Sequence, residues 1–278
     1  MIVFSSQTHA PRVAACVALA ALLLASSVTA APPAAPPAAP ANPPAGTPPA
    51  APVVDAATQL KMALAASDKA YASRKIAADT VALQQAVALA PKDFGVLWRL
   101  SRHHFSKADA SRSDSVKERE GKLSWDYADK AIAANPKHPA GHYWATAGIG
   151  EFSTGAGTIS AIRMGIEGRF KTYANAVMAL GPNYEHGGGY RAMGRFYFKL
   201  PWPKRDLGKS IALLRKAVKS GPQKARNYAW LAESLIKEGE KKQAQEVLTA
   251  CATVNPRRED YRDGVKFKRV CAKLLKDL

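Results

Sequence analysis

The sequence predicts an all-α chain: a solenoid of helical hairpins closed by a C-terminal capping helix. Three observations carry this. A small or medium residue stands five places before a proline five times over, at Ala86…Pro91, Ala131…Pro136, Val177…Pro182, Ala217…Pro222 and Cys251…Pro256. Those prolines are 45, 46, 40 and 34 residues apart, the period of helical repeat architectures. Between them apolar residues recur at steps of three and four, and nowhere do they alternate as a half-buried strand requires.

The clearest unit runs from Ala225 to Pro256. Tyr228, Leu231, Ala232 and Leu235 make one apolar face, Gly239 breaks the helix, and Ala244 and Leu248 continue in a second helix. This resembles the tetratricopeptide (TPR) pattern of large-x2-Leu-small-x2-large, then Ala-x3-large, then Pro. The alanines let two helices lie close, and Pro256 lacks the N–H that would continue the second one. Tyr, Ala and Leu stand where the pattern has Trp, Gly and Tyr. Only the last interval has the usual TPR length, so the earlier units are degenerate and longer.

From its start, the chain opens with Arg12, an apolar run from Val13 to Ala25, and the small-x-small ending Val28-Thr29-Ala30. Residues 1–30 are expected to be a cleaved signal peptide, the run being short for a membrane span. The chain is therefore expected to be periplasmic or otherwise exported. Cys16 precedes most of the apolar run instead of following it, so a lipoprotein anchor is not expected. Residues 31–52 hold ten prolines among alanines, an Ala/Pro-rich linker in polyproline II form at about 3.1 Å per residue.

Residues 53–278 form the helical domain. Leu97, Leu100 and His104 follow Pro91; Ala145 and Ile149 follow Pro136; Tyr190, Met193, Gly194 and Tyr197 follow Pro182, two residues late. Ile159, Ile162, Ile166, Phe170, Tyr173, Val177 and Leu180 predict one long amphipathic helix. In the closing stretch Phe267, Val270, Cys271, Leu274, Leu275 and Leu278 fall on one side. Lys266, Arg269, Lys273 and Lys276 fall on the other, the basic outer face of a cap on which nothing stacks.

Two family resemblances go further than the repeat. The run Gly181-Pro182-Asn183-Tyr184-Glu185-His186-Gly187-Gly188-Gly189-Tyr190-Arg191-Ala192-Met193-Gly194, with Tyr197 and Leu200-Pro201, resembles the TatT family, the T-components of TRAP transporters. That resemblance implies a periplasmic TPR scaffold that forms trimers and engages a solute-binding protein. The stretch Val96-Leu97-Trp98-Arg99-Leu100-Ser101-Arg102, with Met193-Gly194 and Pro201-Trp202, also resembles the regulators of microtubule dynamics. The export signal favours the bacterial family.

The glycines at 187–189 leave a helix N-terminus bare enough to receive an anion, with Arg191 one turn away; they equally permit a close helix crossing. Trp98, Arg99, Arg102, Gly187, Gly188, Gly189, Tyr190, Arg191 and Trp202 are the candidate contacts for a protein partner, Trp, Tyr and Arg being the types that carry most interface energy. On that expectation Arg99→Glu with Arg191→Glu abolishes capture of an acidic partner and leaves the fold intact.

Catalytic chemistry is not indicated. Gly-x-Ser-x-Gly and Cys-x2-Cys are absent, and Gly208-Lys209-Ser210 lacks the first glycine and the strand of a P-loop. His138 and His142 sit four apart, a two-ligand spacing on a helix that falls short of a metal site. No cofactor and no metal are expected. Net charge is +18, and residues 203–278 hold 19 Lys or Arg against 9 Asp or Glu. Such an excess suits an acidic partner or an anionic surface, and export argues against nucleic acid. The expected function is a non-catalytic scaffold for a protein, such as the solute-binding subunit of a TRAP-type importer. Alternatives are peripheral attachment to anionic lipid or wall polymer, and a small solute held in the groove. Cys251 and Cys271 are expected to be buried free thiols. If their helices run antiparallel from the turn at Pro256, the two sit at different heights, roughly 7–13 Å apart along the axis.

Overall fold

The computed structural model of the protein describes residues 54–258 and 261–278; the expected signal peptide (1–30) and linker (31–52) lie outside the described residues. The described chain is all-helical: α1 (Ala56–Ala72), α2 (Ile76–Leu89), α3 (Phe94–Ala110), α4 (Asp114–Ala134), α5 (Pro139–Ala156), α6 (Thr158–Arg163), α7 (Glu167–Leu180), α8 (Gly188–Lys199), α9 (Leu207–Ser220), α10 (Ala225–Glu238), α11 (Lys241–Ala252), a 3₁₀ turn (Pro256–Arg258) and α12 (Tyr261–Lys276). Five hairpins stack in order, α1–α2, α3–α4, α5–α7, α8–α9 and α10–α11, and α12 closes the series. This is a degenerate TPR-like solenoid with a C-terminal capping helix.

The proline phrases have one structural cause. Ala86, Ala131, Val177, Ala217 and Cys251 each lie in the last turns of the second helix of a hairpin, and each is 0 % exposed. In the first four, the amide just before the proline donates to the carbonyl of the phrase residue: Ala90 to Ala86, Asn135 to Ala131, Gly181 to Val177 and Gly221 to Ala217, all at 2.9 Å. The next turn then closes back on the residue before the proline, as Asp93 N to Ala90 O at 3.1 Å shows. A small residue lets the next hairpin approach, and the proline ends the helix. N-caps then start the following helix, Asp93 accepting from Val96 N and the His138 ring from Ala140 N, both at 3.1 Å.

The main core is aromatic and centred on α5, where Trp144, Tyr143, Ile149 and Phe152 meet Trp125, Phe170 and Met193. It is compact because α4 and α5 touch through glycine: a Cβ on Gly121 would collide with the Phe152 backbone, and one on Gly148 would lie 2.7 Å from Trp125 N. A second core joins α10, α11 and α12 through Ala225, Ala229, Ala232, Leu248, Val254 and Phe267. Here the repeat residues Leu231, Ala232, Leu235, Ala244 and Leu248 are all buried.

Two expectations are corrected. The long helix from Ile159 to Leu180 is two helices, because Gly165 takes a left-handed φ of +69° between α6 and α7, a conformation a helix cannot contain. And Cys251 and Cys271 are joined as a disulfide, their Cα atoms 6.5 Å apart. The expectation of free thiols assumed that α12 pairs with α11 directly from the turn. Instead α12 starts beyond the end of α11, with Gly264 against Pro256, and Lys268 Nζ donates to Ala252 O and Val254 O at 2.7 and 2.8 Å. The middle of α12, and with it Cys271, therefore lies beside the last turn of α11.

Two stability measurements follow. Gly121→Ala should lower unfolding stability by about 1–3 kcal/mol, since helix backbones must separate. Gly150→Ala in the interior of α5, where a Cβ meets nothing within 4 Å, should raise it by about 0.5–1 kcal/mol. Denatured, unreduced protein should show no thiol from Cys251 or Cys271. Reduction should cost about 3 kcal/mol for a loop of this length; equal denaturation midpoints with and without reductant would refute the bond.

Candidate functional site

Buried charge collects where the first hairpins and the capping helix approach each other. Arg191, in the first turn of α8 and 4 % exposed, donates from Nη2 to Tyr143 Oη at 2.9 Å on α5. From Nη1 it reaches Asn227 Oδ1 at 3.1 Å on α10 and the carbonyls of Glu185 and His186 at 3.0 and 3.4 Å. Those last two residues, with Gly187, form a left-handed run at φ +49°, +56° and +78°. Such a run is strained for side-chain-bearing residues. Arg191 and Asn227, which donates to His186 O at 3.0 Å, hold it in place. This run makes α8 start late.

A second network crosses the solenoid. Asp263 on α12, 2 % exposed, accepts from Arg226 Nη2 at 2.5 Å and lies 3.3 Å from Lys224 Nζ. It is also 3.6 Å from a guanidinium nitrogen of Arg74 in the α1–α2 turn, which pairs in turn with Asp109 on α3 at 3.4 Å. The first hairpin thus reaches the capping helix. Burial alone would raise the Asp263 carboxyl, but the charges of Arg226 and Lys224 hold it well below the usual carboxylate range. Burial works against the Arg226 guanidinium, which Asp263 and Asp109 keep firmly charged. Tyr143 is pushed up by its burial. Outside the groove, Glu120 would also be raised by burial, yet bonds from His104, Lys107 and Arg119 bring it down to about 2. An ionised carboxylate only accepts, so the His104 Nδ1 at 2.8 Å is the donor.

Two cavities adjoin across these networks, sharing Phe105, Asp109, Tyr143, Arg191 and Arg226. The smaller, about 320 Å³, is walled mainly by charge, with Arg74, Lys75, Glu185, Lys224 and Asp263. The larger, about 670 Å³, has an apolar wall of Ile149, Ile162, Ile166, Phe170 and Phe196. Arg195, Lys199, Glu233 and Lys266 also line it, and Arg195 and Glu233 are paired. Together they form one groove with apolar and cationic sides. It suits a chain or molecule that presents apolar groups and negative charge.

The sequence-predicted residues are divided among several places. Arg191 and Lys266 do line the groove. Arg99 and Arg102 are not free contacts: Arg99 grips Asp68 through two bonds of 2.8 and 2.7 Å, and Arg102 reaches Asp68 at 2.8 Å and Ser67 at 3.0 Å. Trp98 is half-buried beneath both guanidiniums, 4.2 and 5.0 Å from its ring. These three pack α3 on α1. Gly187, Gly188 and Gly189 are buried and leave no open helix end: added Cβ atoms would strike Ala217, Tyr143 and Met178. They are crossing glycines, and Arg191 is bonded internally, so the Arg99→Glu, Arg191→Glu pair would break the fold before it tested binding. Tyr190 is half-buried beside Lys216. Trp202 is 86 % exposed, and Lys266, Arg269, Lys273 and Lys276 are all exposed on α12.

His138 is the N-cap of α5, not a member of its helical face, so it does not share a face with His142, whose Nε2 bonds Pro136 O at 2.8 Å. Among the described residues no group of three His, Cys, Asp or Glu is placed to hold a metal ion. Tyr143, Arg226 and Asp263 carry no local sequence signal; Asp263 is one of nine acids among residues 203–278.

The sequence profile of the family described as Regulator of microtubule dynamics protein 1-3 matches residues 63–278. No curated protein matches. Among solved structures, one described as the MamA protein is 12% identical, with a TM-score of 0.43, over 78% of this chain and 96% of that one. A MamA RS-1 ArsTM double mutant is 15% identical, with a TM-score of 0.45, over 76% of this chain and 95% of that one.

The groove network gives a pH prediction. The folded pKa of Asp263 lies below its unfolded value of about 3.9. Its stabilisation is therefore complete above that value and is lost as pH falls through the folded one. Melting temperature should hold between pH 7 and 5 and fall below about pH 4, with Glu120 contributing down to about 2. Asp263→Asn should cost about 3–5 kcal/mol at neutral pH, because Arg226 is left buried without its carboxylate, and should flatten part of the acid limb. An unchanged acid limb in that variant would count against the network.

Proposed function

The chain belongs to the Regulator of microtubule dynamics protein 1-3 family, and from that premise we propose that it is a non-catalytic helical scaffold whose concave groove binds a segment of a protein partner. The carrying observation is the groove itself, two adjoining cavities of about 320 and 670 Å³ lined by apolar and by cationic side chains. An extended or helical segment with acidic and apolar residues would place its charges toward Lys199 and Lys266 and its apolar groups toward Ile162 and Ile166. The groove's arginines are bound within the protein, Arg74, Arg195 and Arg226 to acids and Arg191 to Tyr143 and Asn227.

Of the two families the sequence resembles, the regulators carry the match. A TRAP-type solute-binding subunit as the partner, and a trimeric assembly, rest on the glycine run alone, whose residues here serve helix crossing. Export to an oxidising compartment is part of the proposal and is supported by the Cys251–Cys271 disulfide. A small solute is the second reading, favoured by the enclosed charge of the smaller cavity.

Site-directed photocrosslinking in cells tests the assignment. A crosslinker at Ile162, on the groove wall, should trap a discrete protein band, and one at exposed Val81, which lines neither cavity, should not. Lys199→Glu with Lys266→Glu should erase the band at unchanged helicity. Equal trapping at both positions removes the groove from the interface. A small molecule retained by native mass spectrometry, with no trapped protein, supports the second reading.

A further inference from the structure

A surface beside the groove, made by α6 and the α8–α9 loop, has its own character. Ile159 and Met164 are 61 % and 60 % exposed, Trp202 is 86 % exposed, and none lines either cavity. Lys204 Nζ donates to Glu167 Oε2 at 3.1 Å, which ties the loop to the start of α7. Met164 and Trp202 thus flank a single ion pair, three and two residues from its partners. The charge around them is one-sided. Residues 157–171 and 199–209 hold seven Lys or Arg against two acids. Both acids are taken: Glu167 by Lys171 and Lys204, and Asp206 by Lys209 Nζ at 3.0 Å and Lys209 N at 2.8 Å. Arg169 is in turn paired with Asp129 of α4, so the cations that count toward an anionic surface are Arg163, Lys199 and Arg205.

We propose that Ile159, Met164 and Trp202 form an insertion tip by which the protein docks peripherally on an anionic lipid surface. An exposed indole with two flexible apolar side chains suits the headgroup–acyl boundary, where Trp is enriched. The surrounding cations meet anionic headgroups while their stems lie along the apolar tip. No described helix is long and apolar enough to cross a membrane, so the contact is superficial. An acidic protein surface would satisfy the cations, but would have to bury three apolar chains that project from separate segments; a fluid interface receives them without a preformed pocket. The proposal does not rest on the groove reading.

The test compares the full chain with Trp202→Ser and with Arg163→Ser/Arg205→Ser on vesicles of phosphatidylglycerol and phosphatidylcholine, and on phosphatidylcholine alone. Every version keeps the apolar N-terminal stretch, so its contribution cancels. Mixed vesicles should bind the natural chain. Trp202→Ser should bind about tenfold more weakly, and loss of each cation should weaken binding about fivefold at low salt. The fluorescence difference between the natural chain and Trp202→Phe should move to shorter wavelength on mixed vesicles and stay put on neutral ones. Trp202→Ser binding as tightly as the natural chain overturns the proposal and points to the basic face of α12. An unmoved difference spectrum also overturns it, leaving the patch as a protein contact. Since Trp202 is so exposed, its variants should melt as the natural chain does, which separates lost docking from lost fold.

Discussion

One guanidinium connects three of the five hairpins. Arg191 reaches α5 through Tyr143, α10 through Asn227, and the turn before its own helix through two carbonyls. Each bond to a charged donor is worth roughly 1.5–3 kcal/mol when the alternative is a buried orphan, and the left-handed run at residues 185–187 depends on them. That run delays α8, and the delay places α8 where its glycines can cross Tyr143 and Met178 at close range. The groove wall that contains Ala192, Arg195 and Phe196 is set by the same placement. Buried charge here orients backbone.

The fold was legible because its stop signals are local. A proline five places after a small residue names both the end of a helix and the residue that must vanish into the next hairpin, and all five such residues are fully buried. Ala232, Ala244 and Leu248 were equally readable, since one helical turn fixes their face. Gly165 marks the limit of periodicity: the apolar period continues through it, and period alone does not see a left-handed glycine.

The site was much less legible, for a reason the arginines make plain. A lone buried arginine is expensive, so a reading of the sequence places Arg99 and Arg191 at the surface. Neither is alone. Arg99 finds Asp68, 31 positions away, and Arg191 is satisfied by a phenol, an amide and two carbonyls, groups that no charge pattern reveals. The disulfide was hidden by geometry of another kind, since the offset of α12 is decided by the connector after α11.

That disulfide also gives the solenoid a weak end and a strong end. In a stack of hairpins, opening begins at a terminus. At one terminus, α12 is covalently sewn to α11. At the other, α1 and α2 are held by side-chain packing and by ion pairs, Asp68 with Arg99 and Arg102, and Arg74 with Asp109 and with Asp263 of α12. A pull transmitted along the chain that precedes α1 meets those pairs first. Peeling therefore runs from Ala56 inward, hairpin by hairpin, and high ionic strength eases its first step while leaving the sewn end intact.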